Sequence, residues 1–241
     1  MEQKAIIPLL LLIISITSPI LSQPQLYNFQ YPVPSHQILN CVFHYDTQTS
    51  TYDCVSTNTT VRGPGAGFNA FDGSHVVNHS DYDVSGLRIS SQLCKYVPDG
   101  IGDLMPNLKK LQITNSGLLA LDNGDLYKFP MLQYLNVRGN RLVELPGLLF
   151  HQNSDIIFVD FSDNFIKFIH PAIFSDFNTL RYIDFGNNIC VQNTYATDNF
   201  REWERELRRN CIPADRYYGI IEPLNRIADQ LDRFNGFGQS G

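Results

Sequence analysis

The sequence predicts an α/β protein built as a short right-handed solenoid. It would be a horseshoe with a parallel β-sheet on its concave face, an N-terminal β-hairpin cap and a C-terminal helical cap. Three observations lead there. Leu132, Ile156 and Leu180 head segments that align at a 24-residue offset, with Leu135, Val159 and Ile183 in one column and Val137, Phe161 and Phe185 in another. Asn140, Asn164 and Asn188 share a column, followed two places on by Leu142, Ile166 and Cys190. A fixed period of this length marks units that cannot bury their apolar faces alone and must stack to do so.

The shared pattern, L-x-x-L-x-L-x-x-N-x-L, resembles the leucine-rich repeat family. Stepping back by 24 extends it to five units, starting at Val84, Leu108, Leu132, Ile156 and Leu180, so the repeats span 84–189. Gln92 and Ser116 replace the asparagine in the first two units. That side chain is expected to bond backbone groups of a tight turn which would otherwise be orphaned, and the substitutes to do part of the same work. The resemblance covers Val84 to Cys211 and implies noncatalytic recognition of proteins, in adhesion, innate immunity or receptor signalling. Some secreted invertebrate immune members carry a helical segment after the repeats, and the tail of this chain looks like a short version of it.

The first residues combine Lys4 with an apolar run from Ala5 to Ile16, diluted afterwards by Ser15, Thr17, Ser18 and Pro19. That core is shorter than the ~20 residues a membrane helix needs and reads as a secretory signal peptide over 1–22, with an uncleaved anchor as the alternative. The expected location is therefore secreted and extracellular. A net charge of −6 without a basic stretch argues against nucleic acid and anionic membranes as partners. Export permits disulfides. The five cysteines, Cys41, Cys54, Cys94, Cys190 and Cys211, leave at least one unpaired within the chain.

Residues 23–83 are expected to form a proline-rich lead-in and the N-terminal cap. Two β-prone segments, Cys41–Tyr45 and Thr51–Ser56, flank a polar turn and read as a hairpin bridged by Cys41–Cys54. The family's usual N-terminal cap has a denser cysteine cluster, and the chain departs from it there. Asn58 and Asn78 open glycosylation sequons. The glycine-rich segment RGPGAGFNAFDGSH lacks the context of a phosphate loop and reads as an irregular connection. Cys94 shares a column with Leu118, Leu142 and Ile166, which makes it a buried core thiol or, alternatively, a reactive or intermolecular one. Leu126, Phe150 and Phe174 form an inward column on the convex side, and Val97, Leu121, Leu145 and Ile169 a further one.

After Asn188 the pattern stops. Thr197 or Asp198 can cap a helix running to Arg208 or Arg209, with Phe200, Trp203 and Leu207 on one face. This is similar to the family's C-terminal cap over 190–212, and the resemblance implies a Cys190–Cys211 bridge. From 213 to 241, Ile220, Leu224, Ile227, Leu231 and Phe234 keep a seven-residue rhythm behind Pro223. A helix of about 12 residues is marginal alone, so it either docks on the solenoid or pairs with a second copy of the chain, a possible homodimer.

Side chains between the repeat leucines face the concave side, because strand residues alternate. The columns are Gly86, Lys110, Tyr134, Phe158 and Tyr182; Arg88, Gln112, Asn136, Asp160 and Asp184; and Ser90, Thr114, Arg138, Ser162 and Gly186. Tyr134, Phe158 and Tyr182 make an aromatic ladder, and charge runs from basic (Arg88, Lys110, Arg138) to acidic (Asp160, Asp184). Lys110, Tyr134, Arg138, Phe158, Asp160, Tyr182 and Asp184 are therefore the candidate contacts for a protein or peptide partner, against the alternative that aromatics simply stack well on strands. Five strands at about 4.8 Å give a face of order 400 Å², half of the ~800 Å² a standard interface takes, which suits a peptide or protruding loop.

No G-x-S-x-G, H-E-x-x-H or C-x-x-C occurs. His75 and His79 stand four apart in a segment unsuited to a helix, and Asp160 with Asp184 lacks the pocket that would shift a carboxyl pKa. No enzyme, cofactor or metal is expected. The function read here is a secreted, noncatalytic binding protein, the alternative a self-associating extracellular structural protein using its tail helix.

Overall fold

The computed structural model describes residues 37–176, 179–196 and 200–212. The predicted signal peptide, the lead-in before residue 37, the capping residues Thr197 and Asp198, and the tail helix with its dimer contact lie outside the described residues. Along the chain run β1 (Gln37–Asp46), β2 (Thr51–Ser56), β3 (Thr60–Val61), β4 (Phe68–Asp72), β5 (Val84–Ser90), β6 (Leu93–Cys94) and the short α1 (Ile101–Leu104). Then follow β7 (Lys110–Thr114), β8 (Tyr134–Asn136), β9 (Glu144–Leu145), β10 (Phe158–Asp160), β11 (Phe168–Ile169), β12 (Tyr182–Asp184), β13 (Thr194–Ala196) and α2 (Phe200–Asn210). No described helix is long and apolar enough to cross a membrane.

The repeat strands β5, β7, β8, β10 and β12 pair in parallel with the register the 24-residue offset requires. Leu87 lies beside Leu111, Leu111 beside Leu135, Leu135 beside Val159, and Val159 beside Ile183. These five residues are fully buried, as are Ile89, Ile113, Val137, Phe161 and Phe185. Phe161 stacks on Phe185 at 5.5 Å and meets Phe150 edge-on at 6.3 Å, so each unit's inward side chains cover those of the next. Emptying one such position to alanine costs about 2–5 kcal/mol.

Each unit turns on two adjacent positions. Ser91, Asn115, Gly139, Asp163 and Asn187, spaced by 24, all have positive φ, a backbone that small polar residues and glycine tolerate best. The next residue supplies the bonds. Asn164 donates to the carbonyls of Val137 and Phe161 at 3.0 Å each and accepts from the Leu142 N–H at 3.1 Å. Asn140 and Asn188 repeat this arrangement. Gln92 substitutes by donating to the Ser56 carbonyl and accepting from the Thr59 N–H. Ser116 reaches only the Thr114 carbonyl and the Gln92 N–H, the latter at 3.4 Å.

Both ends extend the sheet further than the sequence pattern suggests, giving nine strands in the order β13-β12-β10-β8-β7-β5-β2-β1-β4. β2 pairs in parallel with β5, and β3 with β6, so Thr51–Val61 behaves as a further repeat at an offset of 33 (Cys54 beside Leu87, Val61 beside Cys94). The expected irregular connection contains β4, which pairs with β1, because Phe68 and Phe71 pack on the cap core. At the other end β13 pairs antiparallel with β12 and covers its edge. Cys41–Cys54 and Cys190–Cys211 are bridged, and Cys94 is buried and unpaired, its thiol pushed up to about 12 by burial.

Candidate functional site: the concave face

The predicted basic end of the concave face is not an open surface. Lys110 is only 2% exposed and donates to Asp46 at 2.5 Å, Asp53 at 2.6 Å and Thr49 at 3.2 Å. Lys110 is therefore removed from the partner contacts. The cause is the hairpin: β2 joins the sheet beside β5 and carries Asp53 into the column of Lys110, while the end of β1 brings Asp46 over it. Gly86 separates the two, and a Cβ there would stand 1.9 Å from an Asp53 carboxylate oxygen. Arg88 reaches the same carboxylates at 3.4 and 3.5 Å. The Lys110 ammonium holds the Asp46 carboxyl down to about 2, helped by the Gln48 and Thr49 N–H groups. The expected basic-to-acidic gradient is thus neutralised from within at its basic end.

The other half is different. Tyr134, Phe158 and Tyr182 do lie side by side on parallel strands, half-buried. Phe158 and Tyr182 stack with centroids 4.7 Å apart and planes within 3°, and Tyr134 tilts against Phe158 at 6.3 Å. Two residues on in each strand, Asn136, Asp160 and Asp184 form a row. Each uses one side-chain oxygen to accept the N–H two positions later, at 3.1, 2.9 and 2.7 Å. The Ser162 hydroxyl also donates to Asp160, at 2.5 Å, and the Tyr182 hydroxyl donates to Asp184 at 3.3 Å. Burial, then the Asp184 charge, raises the Tyr182 pKa. Arg138 is exposed and pairs with Asp163 at 2.7 Å, whose pKa is lowered first by the Asn187 amide and then by Arg138.

The remaining sequence candidates fall elsewhere. Asn58 and Asn78 are both exposed on the capping segment. His75 stacks on Phe43 at 4.0 Å and bonds Asp81, while His79 stacks on Tyr52 at 4.2 Å, so both histidines help pack the cap. Among the described residues no group of three or more histidine, cysteine, aspartate or glutamate side chains is placed to hold a metal. Asp46 and Asp53 were not among the expected site residues. The signal that could have found them is the repeat-like run Tyr52-x-Cys54-x-Ser56-x-x-Thr59-x-Val61, hidden by its longer offset.

Residues 130–189 match the leucine rich repeat family model, and the fold is that of a leucine-rich-repeat solenoid. A curated relative, the leucine-rich repeat-containing G-protein coupled receptor 5 of Rattus norvegicus, is 29% identical over 106 residues. The match spans 44% of this chain and 11% of that receptor, so the chain covers about a tenth of its relative's length. Among solved structures, the Drosophila Toll–Spatzle complex aligns at 20% identity and TM-score 0.42, over 44% of this chain and 14% of that one. The leucine-rich-repeat ectodomain of the receptor kinase SOBIR1 from Arabidopsis thaliana aligns at 19% identity and TM-score 0.37, over 61% of this chain and 78% of that one.

Proposed function

We propose that this chain is an exported, noncatalytic recognition protein whose concave face, from Tyr134 to Tyr182, holds a peptide segment or protruding loop of a protein partner. One observation carries the reading. The two cations of β5 and β7, Arg88 and Lys110, are paired with hairpin carboxylates, whereas β8, β10 and β12 leave three aromatic side chains half-exposed in a row. Three strands at about 4.8 Å, each showing about 10 Å, offer ~150 Å². That is a fraction of the ~800 Å² a globular partner needs, so a narrow segment fits better than a flat surface. Two disulfides, the apolar leader and the exposed sequons support export and glycosylation at Asn58 and Asn78.

The test is capture. The mature protein, immobilised with its native glycans, is exposed to extracellular fluid and the bound proteins are identified by mass spectrometry. Phe158→Ala and Tyr134→Ala, each verified by thermal melting, should lower capture of a specific partner about tenfold. Unchanged capture by both variants would remove the concave face from the account.

A further inference from the structure

We infer that the segment held on this face is basic: an arginine or lysine lays its alkyl stem over the edges of Phe158 and Tyr182 and sets its cationic head against Asp160 and Asp184. This rests on the concave-face reading above and specifies what that face takes.

Charge is the first ground. Every cation in the three concave columns already has a carboxylate: Arg88 and Lys110 have Asp46 and Asp53, and Arg138 has Asp163. Asp160 and Asp184 have no cation among the described residues, yet they are direct partners on adjacent strands. Like charges placed opposite one another destabilise a sheet. Asp160 is also only 8% exposed, and a carboxylate that buried is ordinarily paired. A fold that neutralises three cations leaves two neighbouring anions without one, Asp184 half-buried and Asp160 almost enclosed beside it.

Geometry is the second ground. The N–H groups of Ser162 and Gly186 fix one oxygen of each carboxylate. The other oxygen of Asp160 takes no hydrogen bond among the described residues, and that of Asp184 takes only the 3.3 Å bond from Tyr182. Both acceptors are held in place before any ligand arrives, which lowers the ordering cost of binding.

Ring orientation is the third. Phe158 and Tyr182 each turn one face to the other, so those two faces are closed to a ligand. A sugar stacks on an exposed ring face, and the faces these two rings share are closed to it. Ring edges carry positive character, so a cation finds no seat on them and passes on to the carboxylates, while its methylenes pack against the ring periphery.

The experiment is fluorescence anisotropy on the mature chain with labelled Gly-Leu-Arg-Leu-Arg-Gly, its arginine-to-norleucine and arginine-to-glutamate counterparts, chitohexaose, and calcium chloride as competitor. Asp160→Asn and Asp184→Asn are isosteric and keep an oxygen for the strand-end N–H. The arginine peptide should bind about tenfold more tightly than the norleucine peptide and weaken as salt rises, and each Asn variant should erase that preference without lowering the melting temperature. Equal affinity for the three peptides, no effect of either Asn variant, preference for chitohexaose, or displacement by calcium alone overturns the inference. If the arginine preference is absent but Phe158→Ala still abolishes partner capture, the concave-face reading stands without its basic ligand. If Phe158→Ala changes nothing, both fall.

Discussion

Lys110 and Tyr182 occupy the same sequence column, three repeat steps apart, and meet opposite fates. At the first end, β2 adds a strand beside β5 and sends Asp53 to meet Lys110, and the end of β1 brings Asp46, so a charged column position becomes buried structure. At the second, β13 closes the edge of β12 without covering the open side of the ladder. Repeat position decides which way a side chain points. Whether it faces solvent is decided by what the caps lay over it.

The largest effect should come from breaking the covered end. Lys110→Met leaves Asp46 and Asp53 without their ammonium, which should cost about 3–5 kcal/mol in urea unfolding. Tyr182→Ala, in the same column, should cost only about 1 kcal/mol, because a half-exposed ring is lost and no buried charge is stranded. Equal losses would erase the distinction between the two ends.

Next are the turns. Asn164→Ala strands several buried backbone groups and should cost about 3 kcal/mol. Ser116→Ala removes one 2.8 Å bond and one weak one, and should cost about 1 kcal/mol. Acid sharpens the comparison further. Asp46 has its pKa lowered from 3.8 to about 2, so its contribution is fully present above the unfolded value and is lost as pH falls towards 2. Stability should drop by about 2 kcal/mol over that window, and Asp46→Asn should flatten the drop. Arg138→Ala, which removes an exposed ion pair, should stay within about 0.5 kcal/mol.

The repeats were legible because a 24-residue rhythm imposes itself on buried Leu135, Val159 and Ile183, on the asparagine column and on the ladder alike. The hairpin and both disulfide pairings were legible as well, from β-prone runs around Cys41 and Cys54 and from the cap that Cys190 and Cys211 bracket. The burial of Lys110 was not. Its partners lie 57 and 64 residues away and meet it only once the hairpin has joined the sheet. β4 was hidden by its glycine-rich surroundings, and β13 by the stronger helical signal that follows it. The depth of Asp160 was not legible either, since alternation gives a direction but not how far Ser162 and the neighbouring strands enclose it.

Oxidative footprinting of the partner-bound protein tests the central claim most directly. If the open half of the concave face holds the partner, Tyr134, Phe158 and Tyr182 lose labelling on binding while exposed Tyr127 and Met131 keep theirs. Protection of Tyr127 and Met131 with the ladder labelled as in the free protein would contradict it.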